Sequence, residues 1–266
     1  MSLPPVFFHC FRTPVPYTTG LALQERIHAL QLLARKASRS HRDYLLLLEH
    51  RPVFTFGRRQ HETSEDIGAE MTRLKGLGAD CVPTKRGGQT TYHGPGQIVG
   101  YPLLDLGRSS PPMGIRDYIC RLQKTLELHL LEGHSIRHVP SEHTGVFLDP
   151  RTKVASIGVQ VRHRLTTHGF AMNVTQEPIP WFDKVVACGL TDVRAGCIAE
   201  AAKQETTTNA ITVAGELPAL ISRFGRVFGR DVVELDVSAD GEVEEAIRAT
   251  QREAVEAGPW PQIPTP

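Results

Sequence analysis

One residue in this chain could carry a covalent intermediate, and a second could activate it. Cys188 stands in Val186-Ala187-Cys188-Gly189-Leu190, between an apolar run and a glycine. A thiol with glycine beside it can be reached by a substrate carbonyl without side-chain obstruction. Free cysteines usually pack in cores, so the local pattern leaves both roles open. Lys153 opens the otherwise apolar stretch Lys153-Val154-Ala155-Ser156-Ile157-Gly158. Pointing outward, it is a solvated edge residue. Pointing inward, its ammonium would favour a neighbouring thiolate and lower that thiol's pKa. His168-Gly169-Phe170 lies on a stretch expected to neighbour Ser156-Ile157-Gly158, and His168 also reads as a satisfied, half-buried histidine. Cys197 is read as a spare thiol rather than a metal or disulfide partner. Cys10, Cys81 and Cys120 sit in apolar patterns and are expected in the core.

The densest signal is Arg86-Gly87-Gly88-Gln89-Thr90-Thr91-Tyr92-His93-Gly94-Pro95-Gly96-Gln97. Glycine lets backbone approach a ligand and adopt positive φ. Between the two glycine clusters, residues 89–93 have strand character. The segment reads as turn, short strand, turn, with backbone lining a pocket. A plain hairpin with glycine turns is the alternative. No GxxxxGK[ST] pattern occurs, which excludes a phosphate-binding loop of that type.

The surrounding elements must position these groups. Pro5 to Cys10 reads as a strand. Leu23, Ile27, Leu30 and Ala34 recur at helical spacing, with Thr18 or Thr19 as the cap. Asp43 to His50 is a buried strand, and Pro52 to Gly57 another. Ser64 to Leu74 forms a short helix, and Ile98 to Leu104 a strand. Ile115, Ile119, Leu122, Leu126 and Leu130 mark a second amphipathic helix, with its end signalled by Gly133. Three strands follow at 146–148, 154–161 and 166–174, the last two as a hairpin. Residues 190–212 read as a loop or irregular insertion. Helices are expected over 217–228 and 242–257, and the proline-rich tail 258–266 as disordered. Strands and helices mix without strict alternation, which argues for an α+β or mixed-sheet α/β domain.

Composition sets the bounds. The 266 residues suffice for a full core. Thirty Lys+Arg against 29 Asp+Glu give a net charge of +1, so nothing points to nucleic acid or an anionic membrane. The longest apolar run, Tyr44 to Leu48, is too short to span a bilayer. The five cysteines are scattered without a CxxC pair, which fits free thiols in a reducing compartment. The 12 histidines show no HExxH spacing, and no metal site is expected. Arg35, Lys36, Arg39, His41 and Arg42, echoed by Arg51, Arg58 and Arg59, form a solvated face or a dock for an acidic partner. Residues 1–24 contain no acid and one arginine, a transit-like feature; no secretory signal is visible.

Taken in order, these motifs resemble one family. The glycine-rich element, then Lys-x-x-Ser-Ile-Gly, then His-Gly-Phe-Ala-x-Asn-Val, then Ala-Cys-Gly-Leu are similar to the lipoyl(octanoyl) transferases. So is the upstream stretch Leu46 to Gly57. The resemblance implies an α/β (α+β, mixed-sheet) fold shared with biotin and lipoate protein ligases. One catalytic domain is then expected over 1–235, with a C-terminal helix over 236–257. It implies transfer of an octanoyl (or lipoyl) group from acyl carrier protein to a lysine of lipoyl domains through a cysteine thioester, without cofactor. The lipoyl domains would be those of 2-oxoacid dehydrogenases and the glycine cleavage H protein. Carried over by motif, Cys188 is the nucleophile, and Lys153 lowers its pKa and shuttles protons. Arg86, Gly87, Gly88, Gln89, Thr90, Thr91, Tyr92 and His93, with Ser156, Ile157, Gly158, His168, Gly169 and Phe170, line an acyl tunnel free of bulky side chains. Two other readings compete: an ATP-dependent lipoate or biotin ligase, and an inactive binding module for acyl carrier or lipoyl domains. In the ligases an aspartate usually follows the histidine, whereas Gly94-Pro95 follows His93. Beyond Gly189 the family's usual run is replaced by Gly196-Cys197-Ile198. A monomer is expected. The acid-free start, polar insertion and proline-rich tail favour a mitochondrial location, and a bacterial source would mean the cytoplasm.

Overall fold

The computed structural model describes residues 3–59, 67–189, 192–202, 210–261 and 263–264, with Cys188 described by its backbone alone. Residues 43–48 show how its main layer forms. Every side chain of β2 (Asp43–Leu48) is buried, because successive residues point to opposite faces of a sheet covered on both sides. Leu45 and Leu47 join one core cluster; Tyr44, Leu46 and Leu48 join another.

Seven further strands complete that sheet: β1 (Val6–Cys10), β6 (Gln97–Leu103), β7 (Val146–Asp149), β8 (Thr152–Arg162), β9 (Leu165–Asn173), β10 (Arg194–Ala195) and β11 (Val232–Glu234). Their order is β10-β8-β9-β6-β2-β1-β11, with β7 also on β8. β1 is parallel to β2 and β11, while β2, β6, β9 and β8 run antiparallel in succession. The sheet is therefore mixed, as the sequence leads one to expect. A smaller sheet, β4-β3-β5, consists of β3 (Val53–Phe56), β4 (Asp80–Pro83) and β5 (Thr91–His93).

Helices cover both faces. α1 (Tyr17–Lys36) and the C-terminal helix α7 (Glu242–Glu256) pack Leu23, Ile27, Val243 and Ile247 under β2 and β6. On the other face α3 (Ile115–His134) and α6 (Val213–Phe228) contribute Tyr118, Leu122, Leu126, Leu220 and Phe224. Each fully buried side chain of this size contributes about 1.5–3 kcal/mol. The smaller sheet packs Phe54, Phe56 and Tyr92 against Leu74 of α2 (Ile67–Gly76) and against Trp181 and Phe182 of α4 (Ile179–Phe182). Expected residues 64–66 of α2 lie outside the described residues.

A buried carboxylate ties α6 to α3. Glu216 Oε2 accepts hydrogen bonds from His129 Nε2 at 2.7 Å and His134 Nε2 at 2.8 Å. Burial alone would raise the Glu216 pKa, but the two histidine hydrogen bonds outweigh it and hold it at about 2. The three side chains form a potential ligand group with atoms within 4.8 Å of one another. Motif spacing did not reveal it, because the histidines are five apart on one helix and the acid comes from another. The Arg223 guanidinium lies 3.3 Å from His129 Nδ1. This arrangement satisfies the cluster as a hydrogen-bonded brace.

Several expectations are corrected. Pro16 caps α1 and no side chain accepts a capping bond; Thr19 instead donates to Glu253 of α7 at 2.9 Å. Gly133 lies inside α3, and Ser135 takes the left-handed position with φ 57°. Cys120 is exposed, not core, and Cys10 is only partly buried. The segment 190–212 is not irregular where described: it pairs β10 with β8 and forms α5 (Ile198–Ala202). The tail packs as well. Arg51 donates to the carbonyls of Ala257 and of Pro259 (2.9 Å) and stacks over Trp260. The basic residues of 35–51 are largely engaged within the fold: Arg42 pairs with Glu244 at 2.6 Å, and Arg35 donates to the His163 carbonyl. No described helix is long and apolar enough to cross a membrane.

Candidate active site

A cavity of about 380 Å³ lies where the smaller sheet meets β8 and β9, within the range of small-ligand sites. The glycine-rich segment forms its roof. The amides of Gly57, Arg58 and Arg59 donate to the carbonyls of Gln89, Arg86 and Gly88, while Gly87 N donates to Val159 O at 3.2 Å. Arg86 holds this roof from within. Its Nη2 donates to Thr55 O (2.7 Å), Thr55 Oγ1 (2.8 Å) and Gln89 O (2.8 Å), and its Nη1 to Gly87 O (3.1 Å). A buried cation demands such partners.

Of the expected lining, Arg86, Gly87, Gly88, Gln89, Thr91 and His93 reach the cavity, as do Ser156, Ile157, Gly158, His168, Gly169 and Phe170. Thr90 and Tyr92 do not. Strand alternation turns Tyr92 away from Thr91 and His93, and its ring stacks on Trp181 at 5.3 Å. The sequence missed Tyr17, Arg59, Val99, Tyr101, Ala171 and the loop Glu142-His143-Thr144. Two of these are bulky aromatics, so the space is not the glycine-lined tunnel expected.

Around Tyr17, His93 and Tyr101 the cavity carries neutral hydrogen-bonding groups. Tyr101 Oη donates to His50 Nε2 at 2.5 Å, and His50 Nδ1 donates to Val15 O at 2.8 Å. Burial lowers His50 to about 4. His93 Nδ1 donates to Gln97 Oε1 at 2.7 Å; burial, with His50 and Arg86 nearby, holds its pKa well below the usual histidine range. His168 sits at φ 58° with its amide donating to Gln24 Oε1 at 2.7 Å. Burial, then Arg86, lowers it to about 3.

Lys153 lines the same cavity as Gly189, the glycine after Cys188. Its Nζ lies over the Phe147 ring, 5.3 Å from the centroid, and its stem crosses Gly145. A Cβ at Gly145 would stand 2.5 Å from Lys153 Cε, and the residue's φ is +130°, so only glycine suits that position. Ala187–Gly189 is a single 3-10 turn. Gly189 has φ +69°, and a side chain there would overlap Gln89 Oε1. Its glycine is thus required by packing.

A polar chain joins the two halves of the site. Gln97 Nε2 donates to Asn173 Oδ1 (2.8 Å), Asn173 Nδ2 donates to Gly196 O (2.9 Å), and Gly196 N donates to Lys153 O (2.9 Å). Gly196-Cys197-Ile198 therefore braces the backbone of Lys153. Cys197 is fully buried, and burial raises its pKa.

The lipoyl protein ligase A/B catalytic domain matches residues 16–214. The octanoyltransferase of Koribacter versatilis is 33% identical, covering 84% of both chains. The octanoyl-[acyl-carrier-protein]:protein N-octanoyltransferase, mitochondrial, of Danio rerio is 38% identical over 66% of this chain and 74% of its own. In fold, the bi-partite lipoate protein ligase of Thermoplasma acidophilum has a TM-score of 0.62 at 17% identity, covering 96% of this chain and 93% of that one. Lipoate-protein ligase A bound with ATP gives 0.61 at 18%, covering 96% and 95%. Likeness to the transferases over most of the chain thus joins a mixed-sheet fold shared with the ligases, and the chain belongs to the lipoyl protein ligase A/B catalytic-domain family, among the octanoyltransferases.

Proposed function

We propose that this protein takes an octanoyl group from octanoyl–acyl carrier protein onto Cys188 and passes it to a lysine of lipoyl domains. Supporting this most directly, Lys153 and the turn carrying Cys188 border one cavity. A thiol is mostly protonated at neutral pH, and an adjacent ammonium increases the reactive thiolate fraction. The thiolate attacks the donor thioester, exchanging one thioester for another at little thermodynamic cost. The lysine amine then attacks the enzyme thioester, and the stable amide draws the second half forward. Covalent catalysis splits the transfer into two easier steps. Arg86 shapes the roof, with donors turned to the carbonyls of Thr55, Gly87 and Gln89. Likeness to the Danio rerio enzyme supports a mitochondrial location, and likeness to bacterial relatives a cytoplasmic one.

The test is mass spectrometry after mixing with octanoyl–acyl carrier protein in the absence of ATP. The wild type gains one octanoyl group that maps to Cys188, and Cys188→Ser gains none. An unmodified wild type, or octanoylation that requires ATP, overturns the reading.

A further inference from the structure

Along β8 the cavity lining starts at Lys153 and stops at Gly158. A Cβ at Gly145 would stand 2.5 Å from both Ala155 O and Lys153 Cε, so the lysine stem leans along the strand to the level of Ala155. Further on, Ser156 pairs with Ala171 of β9, and Gly158 with Gly169. The glycine pair leaves a lane bare of side chains. The next pair restores them, with Val159 opposite His168. There the roof comes down on the strand: Gly87 N donates to Val159 O at 3.2 Å, and a Cβ at Gly158 would stand 3.1 Å from Gly87 O. His168 lines the cavity at this closed end.

The imidazole is held there against two local costs. The residue is 2% exposed and sits at φ 58°, a backbone that glycine adopts without strain. Its Nδ1 is buried with no hydrogen-bond partner among the described residues. Backbone strain and unpaired polar atoms concentrate where a ligand is shaped. Length identifies the ligand. From Ala155 to Val159, four strand steps cover about 13 Å. An extended chain advances about 3.5 Å for every three bonds, so an S-octanoyl group reaches about 9 Å from sulfur to methyl. The difference is about one non-bonded contact distance.

Resting on the octanoyl-transfer reading, we propose that the His168 ring is the end wall that sets acyl length. An eight-carbon tail lies over the Gly158–Gly169 pair, and its methyl meets the imidazole. Longer tails overrun this pair and collide with the ring and the roof above Val159. Shorter tails leave the space before the ring unfilled and lose its contacts.

Loading from hexanoyl–, octanoyl– and dodecanoyl–acyl carrier protein is followed by mass in wild type, His168→Gly and Gly158→Ala. Glycine suits the backbone at 168, keeps the amide bond to Gln24 and removes the wall. His168→Gly should raise dodecanoyl loading relative to octanoyl by at least about tenfold, the scale on which a pocket reads methylenes. Gly158→Ala places a methyl in the lane and should raise hexanoyl loading relative to octanoyl by roughly the same factor. A general loss of packing would lower all three rates together and leave these ratios unmoved. Unmoved ratios in His168→Gly, or a wild type that loads dodecanoyl as fast as octanoyl, overturn the proposal. Should His168→Gly fail to fold, the ratio in Gly158→Ala decides alone. A wild type that loads no acyl group overturns instead the reading on which the proposal rests.

Discussion

The glycine-rich roof (84–97) and the segment 187–202 serve the same cavity but are specified differently. The roof is written in residue identities: an arginine whose donors match carbonyls, and glycines where backbone meets backbone. The second segment is written in backbone pairing. β10 lies parallel to β8, and Gly196 N bonds the Lys153 carbonyl, with glycine at 196 clearing the Thr152 side chain. One wall of a cavity can thus be set by side-chain chemistry and another by main-chain register. The first leaves the denser motif.

Joining the two regions at their contact point should break the site most severely. Gly189→Ala forces a side chain into Gln89 at a positive φ, moving the Cys188 turn off the roof. A displacement of about 1 Å costs roughly 100-fold, so octanoyl loading should fall by about that factor with the melting temperature little changed. Unaltered loading would mean that the turn does not set the nucleophile. Asn173→Ala cuts the chain from Gln97 to Gly196 and should slow loading by about tenfold, a loss of one buried hydrogen-bonding group. If the loss equals that of Gly189→Ala, the two regions are not separable. Glu216→Gln lies in the α3–α6 brace, away from both. It should lower stability by about 2 kcal/mol in a denaturant titration, with specific activity of the folded protein retained. Its sign with pH follows from the depressed carboxyl: the stabilisation is full above about 4.5 and fades as pH falls towards about 2. The wild type should therefore lose more stability than the variant across that window.

Sequence reading worked where periodicity or composition carried the structure. The all-apolar run of β2 announced a strand buried on both faces, and the helical stripes of α1 and α3 marked their cores. It failed where a distant partner decided the outcome. Thr19 gives up a cap for Glu253, more than two hundred residues away. The threonine-rich composition after 190 concealed a strand that exists because the β8 edge offers it hydrogen bonds. Tyr92 was grouped with its neighbours by motif and separated from them by strand alternation. Tyr17, Tyr101 and Gly145 carried no local signal, since each matters only through what it meets across the cavity.

At the centre of the proposed transfer is an ammonium, that of Lys153, that keeps the Cys188 thiol ionised. The direct measurement is the rate of iodoacetamide alkylation at Cys188 against pH, read by peptide mapping because Cys120 is exposed. Burial pushes Cys10 and Cys81 up to about 11, which keeps them from competing. Replacing Lys153 with alanine should move the Cys188 profile to higher pH by about one unit. An identical profile in wild type and Lys153→Ala would contradict the account.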